Sequence, residues 1–255
     1  MDDVVARMLR RLKKDVRQMK SRQSRGRLNV IKTLRKNTRH GMVPFVRVLR
    51  RKRKEMPRIV VLCDVSVSVS HASRFMLLLL HTLQKGVLDV RSFIFNKEIA
   101  EVTALLKSMP VNHLLETVDS GELVNLHDNS DFGHVFLAFR KHHLESLRGR
   151  PAVIILGDAR NNYNEAHDEV LAQIRERAGY MMWLTPEDRS SWKLGDCLMD
   201  TYSHSCDRVE VVKNVEELSH IVEQLVRTCC SRAAASPHSR RLLQWTGHGL
   251  ILPKA

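Results

Sequence analysis

The sequence predicts an α/β fold built on a mostly parallel sheet with helices on both faces, and three observations carry that expectation. Two short runs, Ile59-Val-Val-Leu-Cys63 and Ala152-Val-Ile-Ile-Leu156, are unbroken by polar residues, as strands buried on both faces should be. Strand-like and helix-like stretches alternate over residues 57–228, the order that assembles parallel strands. Both apolar runs lead into an aspartate, Asp64 directly and Asp158 after Gly157, and ligands of open α/β sheets bind beyond the carboxyl ends of strands.

Residues 1–20 place Val4, Val5, Met8, Leu9, Leu12, Val16 and Met19 on one helical stripe with Arg and Lys opposite, which predicts an amphipathic helix. From 21 to 57 basic clusters are broken by Gly26, Gly41 and Pro44; a partly ordered arm is expected there, with short strands around 45–49. Strands are expected over 59–63, 87–95, 152–156, 180–184 and 208–212, with a short edge strand over 99–103. Helices are expected over 73–85, 111–118, 131–146, 164–178 and 215–227. Three units follow: a basic, partly helical arm over 1–56, the α/β domain over 57–228, and a basic irregular tail over 229–255.

With 255 residues, 43% of them hydrophobic, the chain can bury one full core and carry extensions. Its net charge of +14 is uneven: residues 1–58 hold 21 of the 42 Lys and Arg against four acidic residues, a net +17, and the remainder carries −3. The basicity belongs to the arm. Clustered Arg and Lys suit nucleic acid, yet Phe45 is the only aromatic residue of the arm, which leaves little stacking surface. A solvated arm, or one that binds an acidic protein surface, fits its composition equally well. The five cysteines, Cys63, Cys197, Cys206, Cys229 and Cys230, have no C-x-x-C spacing, so reduced thiols are expected rather than a disulfide framework or zinc ribbon. No segment has the run of about 20 apolar residues that crosses a membrane or an apolar stretch ahead of a cleavage site. A cytoplasmic protein with no membrane span is the expectation.

The two strand-ending carboxylates should lie near each other at one sheet edge, where a divalent cation would relieve their repulsion. Ser66 and Ser68 alternate after Asp64 in Asp64-Val-Ser-Val-Ser68, so a loop leaving the strand can turn both hydroxyls toward one point. Such hard oxygen donors suit Mg²⁺ or Ca²⁺ better than zinc or copper. The competing reading of Asp64 and Ser66 is an ordinary strand end that caps the next helix. The competing reading of Ser130 is likewise a helix N-cap; Asp131 reads as a first-turn residue favoured by the helix dipole, Arg160, Asn161 and Asn162, which could line the rim of the site, as a turn, His142 and His143 as a solvated helix end, and Met181 and Met182 as core filling.

Asp64-x-Ser-x-Ser68 resembles the first loop of the metal-ion-dependent adhesion site of von Willebrand factor A domains. Asn129-Ser-Asp-Phe-Gly133 resembles the second loop, with Ser130 where Thr is usual, and Gly157-Asp-Ala159 the third, with Asp158 at the family's Asp. Val67 stands where many members have Gly. Within that superfamily the chain is most similar to CoxE-like proteins, on Leu62-Cys-Asp-Val-Ser66, Gly121-Glu-Leu-Val-Asn125, Gly157-Asp-Ala-Arg-Asn-Asn-Tyr163, Trp183-Leu-Thr-Pro186 and the basic lead-in Thr33-Leu-Arg-Lys36.

The resemblance implies a six-stranded, doubly wound, Rossmann-like sheet with Mg²⁺, or Mn²⁺ or Ca²⁺ in its place, held by Asp64, Ser66, Ser68, Ser130 and Asp158. It implies a protein partner supplying an Asp or Glu to the metal, and an adaptor working with a MoxR-type AAA+ ATPase or its client in metalloenzyme maturation. No G-x-x-x-x-G-K-[ST] is present, so ATP hydrolysis would belong to that partner. A metal-dependent phosphatase or hydrolase is the alternative, but Ser66 stands where a haloacid-dehalogenase-type enzyme carries its second Asp, and H-E-x-x-H and G-x-S-x-G are absent. A binding protein rather than an enzyme is therefore expected, with nucleic-acid binding through the arm a further alternative.

Overall fold

The computed structural model describes residues 27–38, 46–50, 58–66, 77, 80, 81, 84, 89–125, 128–214, 217, 218, 220, 221 and 224. The expected helix over 1–20, the tail over 229–255 and Ser68 lie outside the described residues.

Within the arm, β1 (Arg27–Leu28) pairs antiparallel with β2 (Leu49–Arg50), and α1 (Val30–Lys36) lies between them in sequence. Asn29 caps α1 by accepting from the Lys32 amide at 3.0 Å. Asn37 ties the helix end to the returning chain, donating to Thr33 O and Val46 O and accepting from the Val46 amide. The strand expected around 45–49 is thus only the two residues of β2.

The main sheet has six strands in the order β5-β4-β3-β6-β7-β8. They are β3 (Arg58–Asp64), β4 (Asp89–Phe95), β5 (Ile99–Glu101), β6 (Ala152–Leu156), β7 (Tyr180–Thr185) and β8 (Arg208–Val211). All neighbours are parallel except β4 and β5. Pairing of β3 with both β4 and β6 puts it at the centre, and the chain passes from one side of it to the other between β5 and β6. Strand order therefore reverses between β3 and β6, the switch point where open α/β sheets leave a crevice beyond their carboxyl ends.

Alternation along β3 sorts its side chains into two cores. Ile59, Val61, Cys63 and Val65 pack with helical residues Leu77, Leu80, Leu218 and Ile221 and with Val102, Leu106 and Val118. These last three sit at α2 (Thr103–Ser108) and α3 (Val111–Asp119). Val60 and Leu62 face the opposite way, toward Phe132, Val135, Phe136 and Phe139 of α4 (Phe132–His143), Val170, Leu171 and Ile174 of α5 (Asp168–Arg177), and Met199 and Tyr202 of α6 (Met199–Ser203). Both faces of β3 are buried, which is why its sequence carries no polar alternation. Met181 and Met182 point to opposite cores, as fillers of both. His142 is exposed and His143 half-buried against Phe93 and Phe139.

Several elements differ from the sequence expectation. The edge strand stops at Glu101, because Thr103 turns the chain into α2 and its hydroxyl accepts from the Ser92 amide. The helix expected over 131–146 ends at His143 and tightens into a 3₁₀ turn, Leu144–Leu147. The helix expected from 164 starts at Asp168, behind His167 in the left-handed region at φ 47°. Short α6 was not expected at all. Among the described residues, no helix is long and apolar enough to cross a membrane.

Candidate metal centre at the carboxyl edge of the sheet

Asp64 is the last residue of β3 and is fully buried. Register puts Cys63 beside Leu156, so Gly157 and Asp158 leave β6 alongside Asp64. The approach is close: a Cβ on Gly157 would lie 3.0 Å from Asp64 Cβ and 3.3 Å from its Oδ2. The Gly157 amide donates to Leu184 O, and Trp183 Nε1 donates to Gly157 O, so the third loop is fixed from β7 beneath it.

Asp64 Oδ1 accepts from the Ser66 amide at 2.8 Å, a turn that brings Ser66 back over the strand end. Asp64 Oδ2 is buried without a hydrogen-bond partner. Burial, and then the nearby charge of Asp158, push the Asp64 carboxyl up to about 8, against the opposing effect of hydrogen bonds from Ser66. Asp158 is also buried, and its Oδ1 accepts from the Arg160 amide at 3.0 Å. A carboxylate whose ionisation is opposed by burial and by a neighbouring Asp, and one of whose oxygens is orphaned, is poorly satisfied by the protein alone.

Ser130 comes to the same edge from the loop ahead of α4. Its hydroxyl donates to Asn96 Oδ1 at 3.0 Å, and Asn96 directly follows Phe95, the register partner of Asp64. Its carbonyl accepts from Asn162 Nδ2 of the third loop at 2.8 Å. Ser130 is not the helix cap. Asp131 is, its Oδ1 accepting from the His134 amide at 2.8 Å. Asp64, Ser66 and Asp158 therefore adjoin the β3–β6 crevice, and Ser130 stands at the same carboxyl edge between Asn96 after β4 and Asn162 of the third loop.

The residues after Asp158 do more than make a turn. Asn161 Oδ1 accepts from the Phe132 amide at 2.7 Å and the Gly133 amide at 3.4 Å, while its Nδ2 donates to Asn164 O and Glu165 O. Arg160 pairs with Glu187 at 2.8 Å and Asp196 at 2.9 Å. The Asn162 amide donates to Asp196 Oδ2. These bonds lock the third loop to the second and to the 187–196 segment. Asn162 and Tyr163 both have positive φ, 49° and 59°, and Tyr163 is 86% exposed. The sequence did not mark Asn96, since a lone Asn after a strand reads as a turn residue, and it offered Asn161 as a rim or turn residue rather than as a clamp.

The donors present fit a hard divalent cation. Two carboxylates and two hydroxyls offer only oxygen. Among the described residues no group of three or more His, Cys, Asp or Glu could hold a metal, so any ion at this edge would rely on the hydroxyls to complete its protein ligands. Cys63 and Cys197 adjoin the site, but burial pushes both thiols up, and protonated thiols are poor ligands.

Residues 1–221 match the family of VWA domain containing CoxE-like proteins. No curated protein matches the chain significantly. A point-mutant form of the PilB minor pilin of Streptococcus sanguinis is similar in fold, with a TM-score of 0.50 and 10% identity over 73% of this chain and 65% of the pilin chain. The manganese-loaded TRAP protein of Plasmodium vivax has a TM-score of 0.46 and 12% identity, over 68% of this chain and 74% of its own. Proximal thread matrix protein 1 from the mussel byssus, whose MIDAS motif is occupied by zinc, has a TM-score of 0.47 and 12% identity, over 69% and 48%.

Proposed function

The chain belongs to the family of VWA domain containing CoxE-like proteins, and on that premise we propose that it is a metal-dependent protein-binding module. Its ligands are Asp64, Ser66, Ser68, Ser130 and Asp158. The observation that carries the reading is the buried Asp64 beside Asp158, its Oδ2 orphaned, at the switch point of the sheet. A bound Mg²⁺, or Mn²⁺ or Ca²⁺, would supply a positive centre with an exchangeable water, where a partner's Asp or Glu completes the shell. The chain's own residues prepare that encounter. Asp64 and Asp158 bring negative charge, the serines add neutral oxygens, and the third-loop clamp holds the rim that presents Tyr163. Exposed Tyr beside a charged seat suits a protein partner, because Tyr is enriched among the residues that dominate interface energy.

The partner we favour is a MoxR-type AAA+ ATPase or its client, with this chain as the cytoplasmic adaptor and not itself an enzyme. Resemblance to CoxE-like proteins supports that choice, and the free thiols of Cys63, Cys197 and Cys206 suit a reducing compartment. The test has two arms. Calorimetric titration should detect one Mn²⁺ or Mg²⁺ site in the full chain, lost in Asp64→Ala and in Asp158→Ala; equal binding in both variants would put the ion elsewhere. Capture of a purified MoxR-type ATPase should then fail in EDTA and with Tyr163→Ala; capture that ignores both would show that this site does not grip that partner, and no capture under any condition would remove the partner from the reading.

A further inference from the structure

Asn96 is fully buried at the end of β4, and every hydrogen-bonding group it has is engaged. Its backbone amide donates to Glu98 O and its carbonyl accepts from the Asp131 amide. Its side-chain nitrogen donates to two backbone carbonyls, Asn125 O at 2.9 Å and Asp128 O at 2.6 Å. Two carbonyl partners settle which way the amide faces, since only nitrogen can donate to them. The oxygen, Oδ1, is thereby turned to Ser130 Oγ at 3.0 Å. An amide oxygen only accepts, so the serine hydroxyl must donate. A hydroxyl has one hydrogen and two lone pairs; with the hydrogen spent on Asn96, Ser130 Oγ keeps its lone pairs for an electron-poor neighbour and has no proton left to offer one.

We infer that Asn96 is the positioning residue of the second loop: by accepting the Ser130 hydroxyl hydrogen bond on Oδ1, it fixes the serine oxygen as a neutral acceptor-type ligand for the cation. The inference rests on the metal reading of the site. The same side chain sets the path of the loop, because its two bonds to 125 and 128 span the segment that leads into Ser130. Partners that orient a metal's ligands in this way are worth roughly 10- to 100-fold in metal affinity.

The test is Mn²⁺ titration of the full chain, followed by calorimetry and by electron paramagnetic resonance of free Mn²⁺, with the fold checked by circular dichroism. Wild type should bind one Mn²⁺. Asn96→Ala should bind at least about tenfold more weakly, and Asn96→Ala combined with Ser130→Ala should be no weaker than Ser130→Ala alone, because both changes remove one ligand. Multiplying effects, or unchanged affinity in Asn96→Ala, would overturn the inference. Should Asn96→Ala not fold, Asn96→Asp decides. It keeps an acceptor for Ser130 but loses both donors, so its thermal midpoint should drop while it still binds Mn²⁺ more tightly than Ser130→Ala. Binding as weak as Ser130→Ala would make Asn96 only a structural residue. Wild type binding no Mn²⁺ would instead overturn the metal reading itself, and the inference with it.

Discussion

Gly157 is where the first and third loops come closest, and the demand there is for space. A Cβ would sit 2.9 Å from Phe132 Cζ and 3.0 Å from Asp64 Cβ, both buried and hemmed in. Forcing a methyl group into a packed site commonly costs about 1–3 kcal/mol, and here the displaced groups include a proposed ligand. Gly157→Ala should therefore lower the urea midpoint and weaken Mn²⁺ binding together. A variant with native stability and native affinity would show that the crevice is looser than its geometry indicates. The placement of Asp64 at the end of β3 and of Asp158 just past β6 was legible in the sequence, because each follows an unbroken apolar run. Asn96 was not, because its role depends on Asn125, Asp128 and Ser130, all about 30 residues away along the chain.

At the scale of elements, the strands were the easiest to read, and β6 matches its expected bounds without change. A five-residue apolar run rich in β-branched residues and bounded by Pro151 and Gly157 is too short for a buried helix, and that length, rather than periodicity, marks it as a strand. Helix starts were harder. The chain from 164 to 167 is rich in polar residues compatible with a first helical turn, yet Asn161 takes Asn164 O and Glu165 O, and Gly133 packs so near Glu165 that a Cβ would come 2.0 Å from its carbonyl oxygen. Those tertiary contacts hold the segment out of the helix until Asp168. At α4 the neighbouring residues Ser130 and Asp131 divide two tasks that the sequence could not assign. Asp131 caps the helix, and losing such a cap costs about 1 kcal/mol. Asp131→Ala should shift the urea midpoint accordingly, whereas Ser130→Ala should act chiefly on the cation. If Asp131→Ala leaves the midpoint unmoved, the Asp131 side chain does not stabilise that helix end.

For the whole molecule, the sheet delivers two acidic loops to one buried crevice, so the proposed cation binding would link stability and pH in a single quantity. The Asp64 carboxyl is raised from an ordinary value of 3.8 to about 8, by burial first and by Asp158 second. Between those values the folded chain holds a proton that the unfolded chain has lost. Raising pH through that window therefore favours unfolding, so this group's contribution is fully present below the unfolded value and gone above about 8. A cation needs the ionised carboxylate and must compete with that proton, so its affinity should rise over the same window. If Mn²⁺ binds only the folded state as proposed, a concentration 100 times its dissociation constant would add about 2.7 kcal/mol. Thermal melts in EDTA should accordingly fall between pH 5 and pH 8 more steeply for wild type than for Asp64→Asn, which carries no such proton. The gain from Mn²⁺ should grow with pH in wild type and vanish in the variant. Parallel pH profiles for the two proteins in EDTA would mean that Asp64 is already ionised in the folded chain, and a pH-independent Mn²⁺ increment would mean that the ion sits where no proton has to leave.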